Sequence, residues 1–596
     1  MPSTQSYTWN RIFHIALEHK RQLIVAHIIA IFATALNVPI PLLMPLLVDE
    51  VLLNQPATLV NAVNFVFPTA WHSHTLTIAI IALCAMLLRL GSLILGVWEV
   101  RQFTIISKEV VFRIRKNLVA RLQRVSMAEY ETLGTGKVVS HLVTDLDTLD
   151  NFIGISVSRL LIAVLTMVGI AVVLLWMHWQ LALFILLLNP MVIYFTVTLG
   201  RKVKHLKANE NNAYAVFQQT LSETLEAIQQ IRAYNREKHY LERVIDSAHQ
   251  IRDHAINFAW KTDAANRLSF SVFLFGFELF RAISMFMVLY ADLTIGEMFA
   301  VFGYLWFMMG PMQEILNIQY AYHGAKAGLQ RVNKLFELAE EPHYPHHHNP
   351  FKENKHIAIR LEKVCFSYNQ QTLALDNLSF EIEAGEKVAF VGASGGGKTT
   401  LVHVLLGLYQ PSSGQIYFNN IPVTEIGMDV VRENVITVLQ HPALFNDTLR
   451  ANLTLGKEFS DDALWHALDI AQLSDTVKNL EQGLDTILGR GGIRLSGGQR
   501  QRVACARMIL SNPKVVILDE ATSALDTETE ARLHTALNEF LQNRTTIIIA
   551  HRLSAVKQAD KVFVVEQGQI IETGHHTHLI EQNGVYAKLY GDVQRG

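Results

Sequence analysis

The chain has 596 residues, of which 50% are hydrophobic and 17% charged, with a formal net charge of −2. That length exceeds one ordinary soluble domain, and the near-neutral balance removes any bulk electrostatic case for nucleic-acid binding. The three cysteines, Cys84, Cys365 and Cys505, form neither a disulfide framework nor a zinc spacing and read as inert thiols in a reducing compartment.

The first ten residues are polar, and the apolar run after Arg21 is too long for a cleaved signal peptide, so a retained membrane helix is expected there. At about 20 apolar residues per crossing, six segments qualify as spans: 22–49, 76–98, 155–177, 179–200, 268–291 and 296–320. The third and fourth meet at Trp176-Met-His-Trp179, a tight hairpin with interface-type aromatics. The segments 99–154 and 201–267 are polar with helical periodicity, which predicts helices that continue well beyond the bilayer. They carry Arg101, Lys108, Arg113, Arg115 and Lys116, and Arg201, Lys202, Lys204 and Lys207, whereas 50–75, 176–179 and 291–297 have no Lys or Arg. The positive-inside rule therefore places both long segments and both termini in the cytoplasm of a multi-pass protein of an inner or plasma membrane.

Charges inside spans are costly and usually face protein or a cavity. Arg89 lies in the second span; Glu278 and Arg281 lie three apart in the fifth, share a face and can pair. These three are candidates for a polar path through the membrane, with a helix-to-helix tie as the rival reading. The fifth and sixth spans are rich in aromatics and methionine, among them Phe273, Phe277, Phe280, Phe302, Trp306 and Met308. Such side chains suit either an adaptable apolar pocket or plain lipid contact.

Residues 1–325 are thus expected to form a six-helix transmembrane domain, 326–356 a linker and 357–596 a soluble α/β domain. The linker contains Glu341-Pro-His-Tyr-Pro-His-His-His-Asn-Pro350, whose prolines stop a helix. A solvated tether is expected, with metal binding by His346, His347 and His348 as the alternative.

In the soluble part, the apolar strand Lys387–Val391 runs into Gly392-Ala-Ser-Gly-Gly-Gly-Lys398-Thr399, which fits GxxxxGK[ST]. Glycines allow backbone N–H groups to turn inward around phosphates at a helix N-terminus, Lys398 adds positive charge and the Thr399 hydroxyl can ligate Mg²⁺. The loop candidates are Gly392, Ser394, Gly395, Gly397, Lys398, Thr399 and Thr400. Val515–Leu518 reads as a buried strand ending in Asp519, placed to hold Mg²⁺, and Glu520, suited to act as general base or water-orienting group. Leu495-Ser496-Gly497-Gly498-Gln499 opens a helix with small residues that suit phosphate oxygens.

These motifs, in this order behind a long apolar half, resemble the ATP-binding cassette (ABC) family over about 357–596, and the membrane half resembles its exporter type. The softer matches are Gly136–Asp145 and Glu223–Tyr234, similar to the two intracellular loops, and Gly310-Pro311 in the sixth helix. The resemblance implies that Tyr368 stacks on adenine, that Gln440 senses Mg²⁺ and the membrane domain, that Ser523 and Asp526 belong to the D-loop, and that His551 is the switch histidine on the γ-phosphate. It also implies two cassettes sandwiching two ATP molecules, each between Lys398 of one subunit and Ser496 of the other. The chain has one of each, so a dimer is implied, and because Glu520 and the Leu495–Gln499 signature are both intact a homodimer is expected over an asymmetric heterodimer. One departure is Gly489-Arg490-Gly491-Gly492, where the family often carries Gly-Glu-x-Gly; the arginine puts carried-over coupling contacts in doubt.

The expected protein is an α-helical membrane domain joined to an α/β P-loop nucleotide-binding domain, using ATP and Mg²⁺ to export an amphipathic or hydrophobic compound such as a drug-like molecule, lipid or small peptide. Its expected partners are a second identical subunit, the lipid bilayer and the cargo, with no nucleic acid. The rivals are a lipid flippase, a metal–thiol conjugate exporter, and an ATP-gated channel or regulator.

Overall fold

The computed structural model describes residues 6–55, 58–68, 71–291, 293–368, 371–440, 442–489, 492–493, 495–519, 525–550 and 553–590; within 185–204 most residues are described by backbone alone. The chain divides into two compact units, one of residues 1–123 and 136–337, the other of 124–135 and 338–596.

The first unit is helical: α1 (Trp9–Glu18), α2 (Lys20–Asn37), α3 (His74–Leu122), α4 (Val157–Met177), α5 (Trp179–Glu226), α6 (Glu237–Tyr290), α7 (Ile295–Phe307) and α8 (Met309–Glu337). Among the described residues, five helical runs are long and apolar enough to cross a membrane. The fourth predicted span, 179–200, opens α5, where most side chains fall outside the description. Helices α3, α5 and α6 have 49, 48 and 54 residues. At 1.5 Å per residue each exceeds about 70 Å, more than twice the hydrocarbon thickness, so these helices do extend well past an apolar layer.

The first span is not one regular helix. Pro39, Pro41 and Pro45 lack N–H donors, and beyond Asn37 the chain passes through short tight turns and then wide π-type turns over Leu46–Leu52. The Tyr304 hydroxyl donates to the Val38 carbonyl at 2.7 Å, where the chain leaves the regular helix. The aromatics of α6 and α7 are neither a cavity lining nor a lipid face throughout. Phe273, Phe280, Tyr304 and Met308 are buried in one cluster, with Phe277 on Phe302 at 5.8 Å and Phe280 on Phe302 at 6.1 Å. Trp306 and Phe286 remain exposed. Polar ties hold the long extensions together: Arg331 grips Asp145 through Nε and Nη2, and Asp150 accepts from Ser107 Oγ at 2.6 Å and Lys108 Nζ at 2.5 Å.

The second unit is built on a six-stranded sheet of order β10-β9-β3-β8-β7-β6 and a four-stranded sheet of order β2-β1-β4-β5. Their strands are β1 (Ile359–Phe366), β2 (Leu375–Ile382), β3 (Lys387–Val391), β4 (Ser413–Phe418), β5 (Ile421–Pro422), β6 (Val435–Val438), β7 (Val515–Asp519), β8 (Thr545–Ile549), β9 (Lys561–Glu566) and β10 (Gln569–Gly574). Strands β6, β7, β8, β3 and β9 run parallel. Period-two alternation sends Val388, Phe390, Ile517 and Ile547 to one apolar cluster and Ala389, Val391, Val516 and Ile548 to the other, so the central strands are covered on both faces. Helices α9 (Lys398–Leu405), α10 (Gly497–Ser511) and α11 (Thr527–Leu541) complete the parts needed below.

The predicted solvated tether is instead a packed strap within this unit. Glu341 forms a two-pronged ion pair with Arg432 at 2.9 and 3.2 Å, and Tyr344 donates to Gln410 at 3.1 Å. His346 Nε2 lies 2.8 Å from Asp429 Oδ1, the His347 N–H donates to the Glu425 carbonyl, and Phe351 is buried against Phe418. The reason is compositional: Tyr344 and Phe351 bring apolar area among the polar residues. His346 and His348 each face one carboxylate, of Asp429 and Glu425, and no cluster of three metal-ligating side chains occurs among the described residues, so the metal reading of this stretch has no support.

Arg432 also donates to the Leu406 and Gly407 carbonyls at 2.9 and 2.8 Å. Arg432→Ala strands a carboxylate and two carbonyls, an expected loss of about 2–3 kcal/mol. It should show as a lower unfolding midpoint of the purified protein; an unchanged midpoint would mean that the strap adds nothing to stability.

Candidate functional site

Four neighbouring parallel strands end side by side. In register, Phe390 of β3 pairs with Ile549 of β8, Asp519 of β7 with the same Ile549, and Leu518 of β7 with Val438 of β6. The glycine loop leaves β3, Asp519 closes β7, and Gln440 lies two residues beyond β6. Ligands of open α/β sheets bind at this carboxyl edge. Glu520 and His551 follow β7 and β8 in sequence; they, with Ser523 and Arg490, lie outside the described residues.

The loop geometry demands glycine. Gly392 has φ +148°, and a Cβ there would sit 2.0 Å from the Val565 carbonyl oxygen. Gly397 has φ +104°, and its Cβ would meet the Ala374 carbonyl at 2.6 Å. Gly395 is also left-handed, at φ +80°, while Ser394 is exposed. Gly397 directly precedes α9, so the first N–H groups of that helix face the loop's concavity, an arrangement that attracts anions. Lys398 is 5% exposed, and its Nζ donates to the Gly392 and Ala393 carbonyls at 2.8 and 2.9 Å, which holds the ammonium at the loop. Thr399 presents an exposed hydroxyl, whereas Thr400 is buried, its hydroxyl 3.1 Å from the Tyr368 hydroxyl.

Tyr368 is 55% exposed and backed by Phe366 and Tyr409, with ring centroids 4.8 and 5.2 Å away. A supported, half-open aromatic ring is a stacking platform for a flat base. Ser496 and Gln499 cap α10 reciprocally: Gln499 N donates to Ser496 Oγ at 3.2 Å and Ser496 N to Gln499 Oε1 at 2.8 Å. The Gly497 and Gly498 that follow form the first turn of α10. Asp526 caps α11; the Thr529 N–H donating to it, with Arg502 nearby, holds its carboxyl below the ordinary range.

Three features had no local signal in the sequence. Asn452 is fully buried, accepts from Phe445 N at 2.9 Å and donates to the Phe445 and Thr448 carbonyls. Arg507 on α10 donates to Asn452 Oδ1 and to the Ala443 carbonyl, and Gln501 donates to the Gln440 carbonyl at 3.1 Å, so α10 fixes the stretch after β6. Tyr409 donates to the Glu131 carboxylate, which lies on a short helix, Met127–Leu133. Burial foremost, with the Glu131 charge, pushes the Tyr409 phenol up. Cys505 is buried, its thiol raised to about 12 by burial, in keeping with an inert role.

The available metal donors are oxygens: the Asp519 carboxylate, 7% exposed, the Thr399 hydroxyl and the Gln440 side chain. That set fits Mg²⁺, which takes oxygen ligands and is commonly held by one or two protein groups plus phosphates rather than by a full protein cage. In the first unit, Glu278 and Arg281 pair with each other at 2.5 Å and are both about half exposed. Arg89 instead lines a cavity of about 330 Å³ with Pro41, Met44, Ile81, Phe299 and Phe307.

A family model described as "ABC transporter transmembrane region" matches residues 23–312, and one described as "ABC transporter" matches residues 375–523. The uncharacterized ABC transporter ATP-binding protein YwjA of Bacillus subtilis is 34% identical over 484 residues, covering 80% of this chain and 83% of its own length. The ATP-dependent lipid A-core flippase of Chromobacterium violaceum is 32% identical over 493 residues, covering 81% of this chain and 82% of its own length. A solved bacterial Atm1-family ABC exporter with ATP bound is similar in fold, with a TM-score of 0.80 at 24% identity over 96% of this chain and 98% of that one.

Proposed function

Because the chain belongs to the ABC transporter family, with a membrane region and an ATPase region on one polypeptide, we propose that it is an ATP-driven exporter that works as a homodimer on an amphipathic, lipid-like cargo. The observation that carries this reading is the shared edge of β3, β8, β7 and β6, where the glycine-constrained loop meets Asp519 and the residues leading to Glu520, His551 and Gln440.

In this reading the loop N–H groups and Lys398 hold the β- and γ-phosphates, and the Tyr368 ring stacks on adenine. Thr399, Asp519 and Gln440 would hold Mg²⁺, which neutralises phosphate charge when bound. Glu520 orients the attacking water and takes its proton, while His551 contacts the γ-phosphate. Ser496, Gly497, Gly498 and Gln499 of the second subunit close over the same ATP, with Ser523 and Asp526 at the contact between cassettes. ATP binding draws the cassettes together and turns the cavity outward; hydrolysis resets it.

A cytoplasmic location of the cassettes and both termini is supported by the lysines and arginines of 99–154 and 201–267. A lipid-like cargo is favoured by the flippase relatives and by Arg89, the one cation, among the described residues, in a lining that is apolar apart from it and Asn37. The paired Glu278 and Arg281 carry less weight for the path, since each already has its counter-charge.

The test is ATPase rate in lipid nanodiscs against lipids, hydrophobic drugs, peptides and glutathione–metal complexes, with Glu520→Gln as blank. Lipid-like amphiphiles are expected to stimulate selectively. Stimulation by the metal conjugates alone, or ion conductance without stoichiometric turnover, would reject the proposal.

A further inference from the structure

We propose that a cleft between the α1–α2 junction and one face of α3 binds an anionic phospholipid of the cytoplasmic leaflet. The cleft has a volume of about 750 Å³ and lies entirely within the first unit. Its long wall is a single stripe of α3: Val97, Val100, Arg101, Ile105, Lys108 and Phe112 recur at three- and four-residue steps and so share a face. The stripe is about 22 Å long at 1.5 Å per residue. Val97, Ile105 and Phe112 are exposed.

Two apolar side chains, Val97 and Val100, precede the first cation of the stripe, as at the edge of a leaflet. Val97 belongs to the apolar run that ends near residue 98, and Arg101 lies one helical turn further on, at headgroup depth. Among the described residues, Arg101 makes no ion pair. Glu109, the acid in the lining, is taken by Arg113 at 2.8 Å, and Arg113 also reaches Glu18 at 2.6 Å. Lys108 touches Asp150 yet remains 66% exposed. The opposite wall carries His19, whose Nε2 is buried without a hydrogen-bond partner.

A phosphodiester fits these groups. It places a negative charge against Arg101 and Lys108, offers oxygen acceptors to a His19 N–H, and lets acyl chains run along Val97 and Val100. A zwitterionic choline headgroup would bring a second cation to Arg101. The cargo cavity at Arg89 is lined by other residues, so this site is a structural or regulatory lipid site rather than the transport path. It rests on the proposed orientation, which puts this end of α3 at the cytoplasmic side.

The experiment is native mass spectrometry of the full-length protein taken from nanodiscs of mixed phosphatidylglycerol and phosphatidylcholine. Wild type is expected to retain phosphatidylglycerol preferentially, and Arg101→Gln to lose that preference by about five-fold, the worth of one cation at an anionic surface. His19→Leu should lose part of it, a second check should the arginine variant fold poorly. Equal retention by wild type and Arg101→Gln overturns the proposal. So does loss of the lipid on adding inorganic phosphate alone, which would mean a free-phosphate site. Labelling of Arg101→Cys by a membrane-impermeant thiol reagent on sealed inside-out vesicles separates orientation from binding. Labelling from the opposite side rejects the orientation, and labelling blocked in lipid-free dimers reassigns the face to the second copy.

Discussion

Lys398→Ala is expected to weaken ATP binding by about ten- to a hundred-fold, the equivalent of a charge-assisted hydrogen bond worth roughly 1.5–3 kcal/mol. Two losses combine. The phosphates lose the positive charge beside them, and the Gly392 and Ala393 carbonyls lose the donor that Lys398 Nζ supplies. With the side chain 5% exposed, solvent does little to soften either loss. Titration with a fluorescent ATP analogue measures the first effect directly, and ATPase activity should fall to the blank. Unchanged nucleotide affinity would reject the loop assignment altogether, since no other side chain in the 392–400 segment carries a charge.

Glu520→Gln separates binding from chemistry. The amide keeps the size of the side chain but cannot accept a proton, so hydrolysis should fall by about 10²–10⁴, the usual worth of a positioned general base. ATP affinity should stay near wild type, because the loop, Lys398 and the Tyr368 platform are untouched. The variant is expected to hold ATP without turning it over, which single-turnover hydrolysis after a binding assay would reveal. Near-normal hydrolysis would remove Glu520 from its proposed role and move attention to Asp519, whose burial at the end of β7 brings it to the same sheet edge. The contrast between the variants matters more than either alone: one loses ligand, the other keeps ligand and loses turnover.

The phosphate loop was legible because its requirements are contiguous. Turning several N–H groups inward needs left-handed backbone at fixed steps, and glycines at positions such as 392, 395 and 397 supply it. The long helices were legible for the same reason, as apolar runs and their polar helical continuations are patterns of neighbours in sequence. The strap over 341–351 was misread because proline and histidine are as common in solvated linkers as in packed ones. What decides is whether Arg432, Asp429 and Phe418 are present to receive it, and those lie some 70 to 90 residues away. The aromatics of α6 and α7 were legible only in part: some pack in a core, Phe307 lines a cavity and Trp306 and Phe286 stay exposed. A membrane helix is apolar all round, so composition cannot tell a face against lipid from a face against another helix.

The sequence by itself determined that this chain is a membrane protein with an ATP-binding cassette, because those properties reside in local composition and short motifs. Only the tertiary structure decided that Gly392, Gln440 and Asp519 share one edge. That follows from the parallel order β3-β8-β7-β6, which places strands about 130 residues apart in the chain within one or two positions of each other in the sheet. It also decided that Asn452 is fully buried and held by Arg507, and that Tyr409 reaches Glu131. Such contacts are fixed by the packing of distant segments, and no local pattern of residues encodes them.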